Sequence, residues 1–273
     1  MKKQTILLTG ATDGIGKHTA IELAKRDVCL LLHGRNKQKL DKLIAELKAL
    51  GSNKSIEGFV ADFSSLEDVR KMAKAILKKY DRIDVIINNA GAGFAAGRTG
   101  KDGTELRLAV NYLAPFLLTR LLLPAIKKAA PSRIVNVSSA GQSPINFDDI
   151  MMEKNFDGVT AYCQSKLALI MFTIDLAAEL KKDRVTVNAL HPGTYLDTNM
   201  VREAKIKPLG KPESGADAEI YLATSPELKN VTGKYFNVKK EANANSQAYD
   251  EKARKRLKEM TLVLTGLKDP LKN

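Results

Sequence analysis

The stretch Thr9-Gly10-Ala11-Thr12-Asp13-Gly14-Ile15-Gly16 constrains this chain more than any other. An apolar run, Ile6-Leu7-Leu8, leads into it, and a helical pattern starting near Ile15 leads out. A strand, a glycine-rich turn and a helix N-terminus together form an anion site. Unpaired N–H groups and the positive end of the helix dipole converge there. Gly10 permits the tight turn. Gly14 and Gly16, lacking Cβ, let a pyrophosphate and the neighbouring strand approach closely. The glycines are spaced G-x-x-x-G-x-G, not the G-x-G-x-x-G of the common dinucleotide fingerprint. An ordinary glycine-rich turn is the plain alternative.

The chain has 273 residues, 44% of them hydrophobic, enough for one large α/β domain or two small ones. Its formal net charge of +13 favours anionic partners. The lysines, however, lie along helical stretches such as Lys37, Lys39, Lys42 and Lys48, or Lys71, Lys74, Lys78 and Lys79. No Trp and no interleaved aromatics accompany them, so solvated helix faces are expected and nucleic acid is not. Cys29 and Cys163 lack metal-ligand spacing and read as free thiols in a reducing compartment; no metal is expected. Met1-Lys2-Lys3 runs straight into a short strand, and no stretch approaches the ~18 apolar residues of a membrane span. The expectation is a soluble, cytoplasmic chain without signal peptide or anchor.

Strand and helix patterns alternate from the start, which argues for a parallel sheet covered on both faces. Strands are expected at 4–9, 28–32, 56–61, 83–88, 133–138, 185–190 and 234–238. Helices are expected at 14–26, at 36–50 with a stop at Gly51, and at 66–80 behind Ser65 as N-cap. A long helix at 102–128 contains Pro115 and should break or kink near Asn111. Further helices follow at 160–180, 212–224 and 246–264, the last one basic. Residues 141–158 read as an irregular insertion and 194–212 as a mobile substrate lid. One domain over 1–273, doubly wound with about seven strands, is the expected architecture.

Three further constellations carry chemistry. The fourth strand ends in Asn88-Asn89-Ala90-Gly91, at the carboxyl-end crevice of such a sheet. The fifth ends in Val137-Ser138-Ser139, and a helix then presents Tyr162 and Lys166, four apart and on one face. A second Tyr-x-x-x-Lys pair, Tyr235 and Lys239, lies in and just beyond a strand, where four residues span ~13 Å and cannot couple. Ionising Tyr162 near pH 7 needs its pKa of about 10 lowered by ~3, or ~4 kcal/mol. One ammonium at ~4 Å supplies about that at an effective dielectric near 20. Lys166 is therefore expected to make Tyr162 a general acid/base.

With these motifs in this order, the chain from Gln4 to about Val238 resembles the short-chain dehydrogenase/reductase family. Leu106–Leu123, Ala161–Leu180 and Gly233-Lys234-Tyr235-Phe236 look like its retinol dehydrogenase-like and carbonyl reductase-like branch. The resemblance implies a Rossmann-type fold and hydride transfer between nicotinamide and a carbonyl or alcohol carbon of a lipophilic or aromatic substrate. It implies that Ser139 hydrogen-bonds the substrate oxygen, with Ser138 as the alternative, and that Tyr162 transfers the proton. Lys166 would hold the nicotinamide ribose, and Asn111 would hold a water that relays protons to it. The implied cofactor cradle takes in Gly10, Thr12, Asp13, Gly14, Ile15, Gly16, Lys17, Arg35, Asp62, Phe63, Asn89, Ala90 and Gly91. It closes with Tyr162, Lys166, Pro192, Gly193 and Thr198. Asp62, placed at the adenine by the resemblance, reads otherwise as a turn residue leading a helix.

The coenzyme follows from the second strand's end, His33-Gly34-Arg35-Asn36, where no carboxylate repels a 2′-phosphate and Arg35 offers a planar fork. NADP(H) is expected over NAD(H), with Arg35 as a solvated loop cation the alternative. Members of this branch often carry an N-terminal membrane anchor and none is read here, so the substrate is left as a class. Two rival functions stand beside the oxidoreductase. One is a non-catalytic cofactor-binding protein on the same fold. The other is weak membrane-surface contact through Lys252, Arg254, Lys255, Arg256 and Lys258. The insertion ahead of Tyr162 is expected to cover the pairing helix and leave a monomer or weak homodimer.

Overall fold

The computed structural model describes residues 3–50 and 55–268, so the expected helix stop at Gly51 lies outside the described residues. Eight strands form one sheet: β1 Gln4–Leu8, β2 Val28–Gly34, β3 Ile56–Val60, β4 Val85–Asn88, β5 Ser132–Val137, β6 Val185–His191, β7 Tyr235–Asn237 and β8 Lys240–Ala242. Their order is β3-β2-β1-β4-β5-β6-β7-β8. Every pair is parallel except β7 with β8. The central strands β1, β2 and β4 are largely apolar without alternation because both faces are covered. Ile6 and Leu8 point to one face with Leu30, Leu32, Val85 and Ile87, while Leu7, Leu31 and Ile86 point to the other.

The helices α1 Gly14–Ala24, α2 Lys37–Leu50 and α8 Pro212–Thr224 pack on the first face. The second face takes α3 Leu66–Lys79, α5 Ala114–Ala129, α6 Gly158–Glu179 and α9 Glu251–Thr265. Capping decides several starts. Ser65 Oγ accepts from the Asp68 N–H at 3.4 Å as expected, and Asp157 caps α6 through the Thr160 N–H at 2.8 Å.

The expected helix at 102–128 differs in an instructive way. Residues 99–105 are held by a bridge between Thr99 and Glu105, and the Glu105 carboxylate accepts the Leu108 N–H at 2.7 Å. The helix therefore starts as α4 at Leu106–Leu108 and widens into a π turn at Ala109–Leu113 before continuing as α5. Pro115 has no N–H to return to the Asn111 carbonyl, and the chain closes i→i+5 there instead. Leu106–Ala129 also corrects the expectation that no segment approaches a membrane span. By length and composition it qualifies, with 72% of the window buried in this fold.

Other departures concern the C-terminal third. Val238, at φ 57°, ends β7, and the chain doubles back as β8, so the sheet gains an eighth strand. Asp250 accepts the Lys252 and Ala253 N–H groups and starts α9 there, leaving Ser246–Tyr249 as a separate 3₁₀ turn. Residues 194–212, expected as a lid, contain a short helix, α7 Asn199–Glu203, and a bridge between Leu196 and Gly210. The insertion 141–158 is irregular yet pinned. Ile145 N–H donates to the Gln247 side chain at 2.6 Å and Asn146 N–H to Gln164 at 3.2 Å.

Candidate active site

The site lies at the carboxyl ends of β1 and β4, where the sheet order reverses. Gly10 sits at φ +69°, and a Cβ there would stand 2.7 Å from Ala90 Cα. A Cβ on Gly16 would overlap Gly10 O and Asn89 Nδ2, and Gly14 faces the Thr198 methyl from φ +48°. The loop can hold this shape only with glycine at these positions. Asn89 fastens it by donating to Thr9 O at 2.8 Å and Gly10 O at 3.1 Å. Thr9 Oγ1 accepts the N–H groups of Asn89 and Ala90, both at 3.0 Å. Asn89 and Ala90 thus shape the cradle from beneath. Backbone N–H groups at the α1 N-terminus fit an anionic pyrophosphate. The Asp13 carboxylate already caps Gly14 N–H at 2.7 Å and is joined by the Asn199 amide from the lid.

His33, not foreseen as part of this unit, holds the loop from the other side. Gly10 N–H donates to its Nδ1 at 3.2 Å, so Nε2 carries the hydrogen and donates to Ala61 O at 3.1 Å. Its ring stacks on Phe63 at 4.0 Å, so the Phe63 ring takes part in this support. Burial lowers the imidazole pKa to about 4, leaving it neutral. A His directly ahead of a strand-end glycine was the available signal.

Arg35 is exposed at the end of β2 and lines an open cavity of about 260 Å³ with Val60, Ala61, Asp62, Asp68, Lys71 and Lys101. Thr12 packs against Gly34 at the same end. Asp62 is already engaged, accepting from Ser64 N and Oγ and facing Lys101 Nζ at 3.2 Å. Lys17 does not line this cavity. Its Nζ leans 3.9 Å from Glu46 on α2.

Tyr162 and Lys166 stand one turn apart on α6, as expected. Lys166 is 4% exposed and donates to Val137 O at 2.9 Å, with Nζ 5.7 Å from the Tyr162 ring centre. Desolvation lowers its pKa to about 8, opposed by Glu219. The phenol departs from expectation. Burial raises its pKa, and the Ser139 hydrogen bond offsets only part of that. Lys166 donates to the Val137 carbonyl, and burial is the largest influence on the phenol.

Between the two serines the geometry discriminates. Ser138 Oγ is buried and donates to Lys166 O at 2.8 Å. Ser139 Oγ accepts Gly141 N–H at 3.0 Å and faces Tyr162, whose ionised form it favours. Asn111, in the π turn, accepts Ala92 N–H at 2.7 Å and donates to Ala92 O and to Ser165 Oγ. Its side chain thereby ties the β4 loop to α6. Pro192 is buried, and Gly193, at φ +142°, turns the chain from β6 toward Leu196 and Thr198.

Two neighbours escaped the sequence reading. Phe94 meets Tyr162 edge-on with ring centres 5.9 Å apart. Tyr235, set aside as a chance match, donates its hydroxyl to Ser139 O at 3.0 Å because β7 lies beside β6. Lys239, its partner in that pattern, pairs instead with Asp217.

Comparison with known proteins gives the family. The short chain dehydrogenase model matches residues 4–208. The chain belongs to the short chain dehydrogenase family. It is 37% identical to "Retinol dehydrogenase 13" of Homo sapiens, over 98% of this chain and 86% of that protein. It is 36% identical to "Retinol dehydrogenase 14" of Homo sapiens, over 98% and 88%. Among solved structures, the Pseudomonas aeruginosa RhlG/NADP active-site complex superposes with a TM-score of 0.70 at 26% identity, covering 86% of this chain and 94% of that one. In this family member the β1 loop, the β4 end and α6 form one continuous site.

Proposed function

We propose that this chain is an NADP(H)-dependent oxidoreductase acting on carbonyl and alcohol groups of lipophilic or aromatic substrates. The observation that carries the reading is Ser139 facing Tyr162, one helical turn from buried Lys166, beside a glycine cradle with no room for side chains. When bound, the nicotinamide coenzyme supplies or accepts the hydride. The neutral Tyr162 phenol donates its proton to the substrate oxygen in reduction and takes it back in oxidation. Ser139, whose lone pair already accepts Gly141 N–H, directs its hydrogen at the same oxygen. Lys166, protonated below about pH 8, holds the ribose and offsets charge developing on the phenol. Arg35, with Lys71 and Lys101 on the same cavity, favours a 2′-phosphate.

Substrate class rests on Phe94, the aromatic that meets Tyr162 edge-on, and on the likeness to proteins named retinol dehydrogenases. The reading includes a cytoplasmic monomer or weak homodimer. Both cysteines are free thiols. The α6 helix is covered by α9, where Arg254 bonds Asp175 at 2.6 Å. NADPH oxidation should be screened across aldehydes, ketones, quinones and retinal. Tyr162→Phe should remove nearly all turnover while NADPH still binds. Retention of most of the turnover would overturn the acid/base assignment, and NADPH binding without turnover of any substrate would leave a binding protein.

A further inference from the structure

Behind the glycine loop, α8 packs on α1, and the seam contains a carboxyl group with no role in the proposed chemistry. Glu219 is 0% exposed. Its Oε2 lies 2.7 Å from Thr19 Oγ1, and its Oε1 is buried without a hydrogen-bond partner. Thr19 Oγ1 also lies 3.1 Å from Ile15 O, in the first turn of α1. A threonine hydroxyl has a single hydrogen, so it cannot serve two acceptors fully. The conflict disappears if the carboxyl is protonated. Glu219 then donates to Thr19 Oγ1, Thr19 donates to Ile15 O, and Oε1 is left as a neutral carbonyl. An ionised carboxylate with one oxygen bare and buried would be far costlier.

The chain of bonds ends in the cradle. Ile15 lies between Gly14 and Gly16, and its side chain seats against Gly215, where a Cβ would stand 3.1 Å from Ile15 Cδ1. We propose that Glu219 is a neutral carboxylic acid at neutral pH and a positioning residue, holding the first turn of α1 in the shape that binds the coenzyme. The proposal rests on the coenzyme reading above and adds a determinant of it outside the cradle.

Among the described residues, no cation forms an ion pair with Glu219. From α1, Lys17 leans toward Glu46 and His18 stands 3.6 Å from Glu213, while Glu22 pairs with Lys25. From β5, Arg133 donates to Leu222 O. From β6, burial keeps His191 below its ordinary pKa. From α6, Lys166 acts through space and favours the charged form. Burial outweighs Thr19 and Lys166 and pushes the carboxyl up to about 8.

Sign follows from linkage. The unfolded carboxyl loses its proton near 4.5 and the folded one near 8. Stability relative to Glu219→Gln is therefore greatest below about pH 4.5 and falls as pH rises toward 8. The test uses the whole chain. Infrared spectroscopy near pH 6.5 should show a protonated-carboxyl stretch that Glu219→Gln lacks. NADPH affinity should weaken roughly tenfold in the wild type one pH unit above the titration, and Glu219→Gln, which keeps the donor to Thr19, should show only the slope due to Lys166. Absence of the acid band in the wild type, or equal affinity slopes in the two proteins, would overturn the proposal. If neither protein binds NADPH at any pH, the coenzyme reading fails, while the infrared band and the pH dependence of Tm still decide the state of Glu219. Should Glu219→Gln fail to fold, loss of the wild-type band on raising the pH through 8 decides it alone.

Discussion

At the scale of single residues, two serines adjacent in sequence and just beyond β5 turn to different partners, Ser138 to the Lys166 carbonyl and Ser139 to the Gly141 N–H. Ser139→Ala removes the donor facing Tyr162 and should lower kcat roughly 10²–10³-fold, as deletion of an oxyanion donor does. Ser138→Ala should cost far less turnover. It removes a donor to the buried Lys166 carbonyl, and its effect should be read as a small drop in Tm. The reverse ordering would place the catalytic role one residue earlier. Arg35 is exposed and, among the described residues, has no ion-pair partner. Arg35→Ala should weaken NADP(H) binding roughly ten- to a hundredfold and change NAD(H) little, measured as dissociation constants for both coenzymes. Tighter NAD(H) than NADP(H) binding by the wild type would end the NADP assignment. The Tyr and Lys pair was legible from spacing alone, since helical periodicity is local. The raised phenol pKa was not, because burial is a property of everything packed around the ring.

At the scale of elements, the strand-turn-helix unit of β1 and α1 depends on partners distant in sequence. His33 on β2 accepts Gly10 N–H and donates to Ala61 O beyond β3, so it must stay neutral to do both. Its folded pKa of about 4 lies below the ordinary 6.5, so the unfolded chain binds the extra proton first. The stabilisation is thus complete above about pH 6.5 and is lost as pH falls through 4, amounting to roughly 3 kcal/mol. Tm of the wild type should fall between pH 6.5 and 4 by more than that of His33→Gln. Parallel acid profiles would remove His33 from this role. The π turn at Asn111 was legible as a break, because Pro115 lacks an N–H. Its form was not, since whether a helix bends or widens depends on what it packs against. The β7–β8 hairpin was missed for a related reason. Val238 at positive φ runs against its β-branched preference, and only the sheet context holds it there.

At the scale of the molecule, the C-terminal segment acts as an internal partner. Thr261 on α9 bonds Tyr112 at 2.7 Å, Arg254 bonds Asp175, and Arg70 reaches Thr265 O, so α9 spans α3, the π turn and α6. The insertion adds Ile145 and Met152 to the same side. A second copy would find the flank of α6 occupied. Light scattering at micromolar concentration should give a monomer, and a stable tetramer would refute this. The basic character of α9 is also reduced in place. Arg254 and Arg256 are taken up by Asp175 and Asp148, which limits what remains for an anionic surface.

The sequence alone determined the order of strands and helices, the glycine turn, the polar ends of β4 and β5, and the Tyr162–Lys166 pair. Each is written in neighbours fewer than ten residues apart, where backbone sterics and periodicity decide. The tertiary structure decided which serine faces the phenol, that Lys166 serves Val137 before Tyr162, and that Asp62 is already paired. It also decided that His33, Tyr235 and Glu219 belong to the site's support. Those outcomes depend on burial and on hydrogen bonds between segments up to 200 positions apart, a separation at which local patterns carry no information.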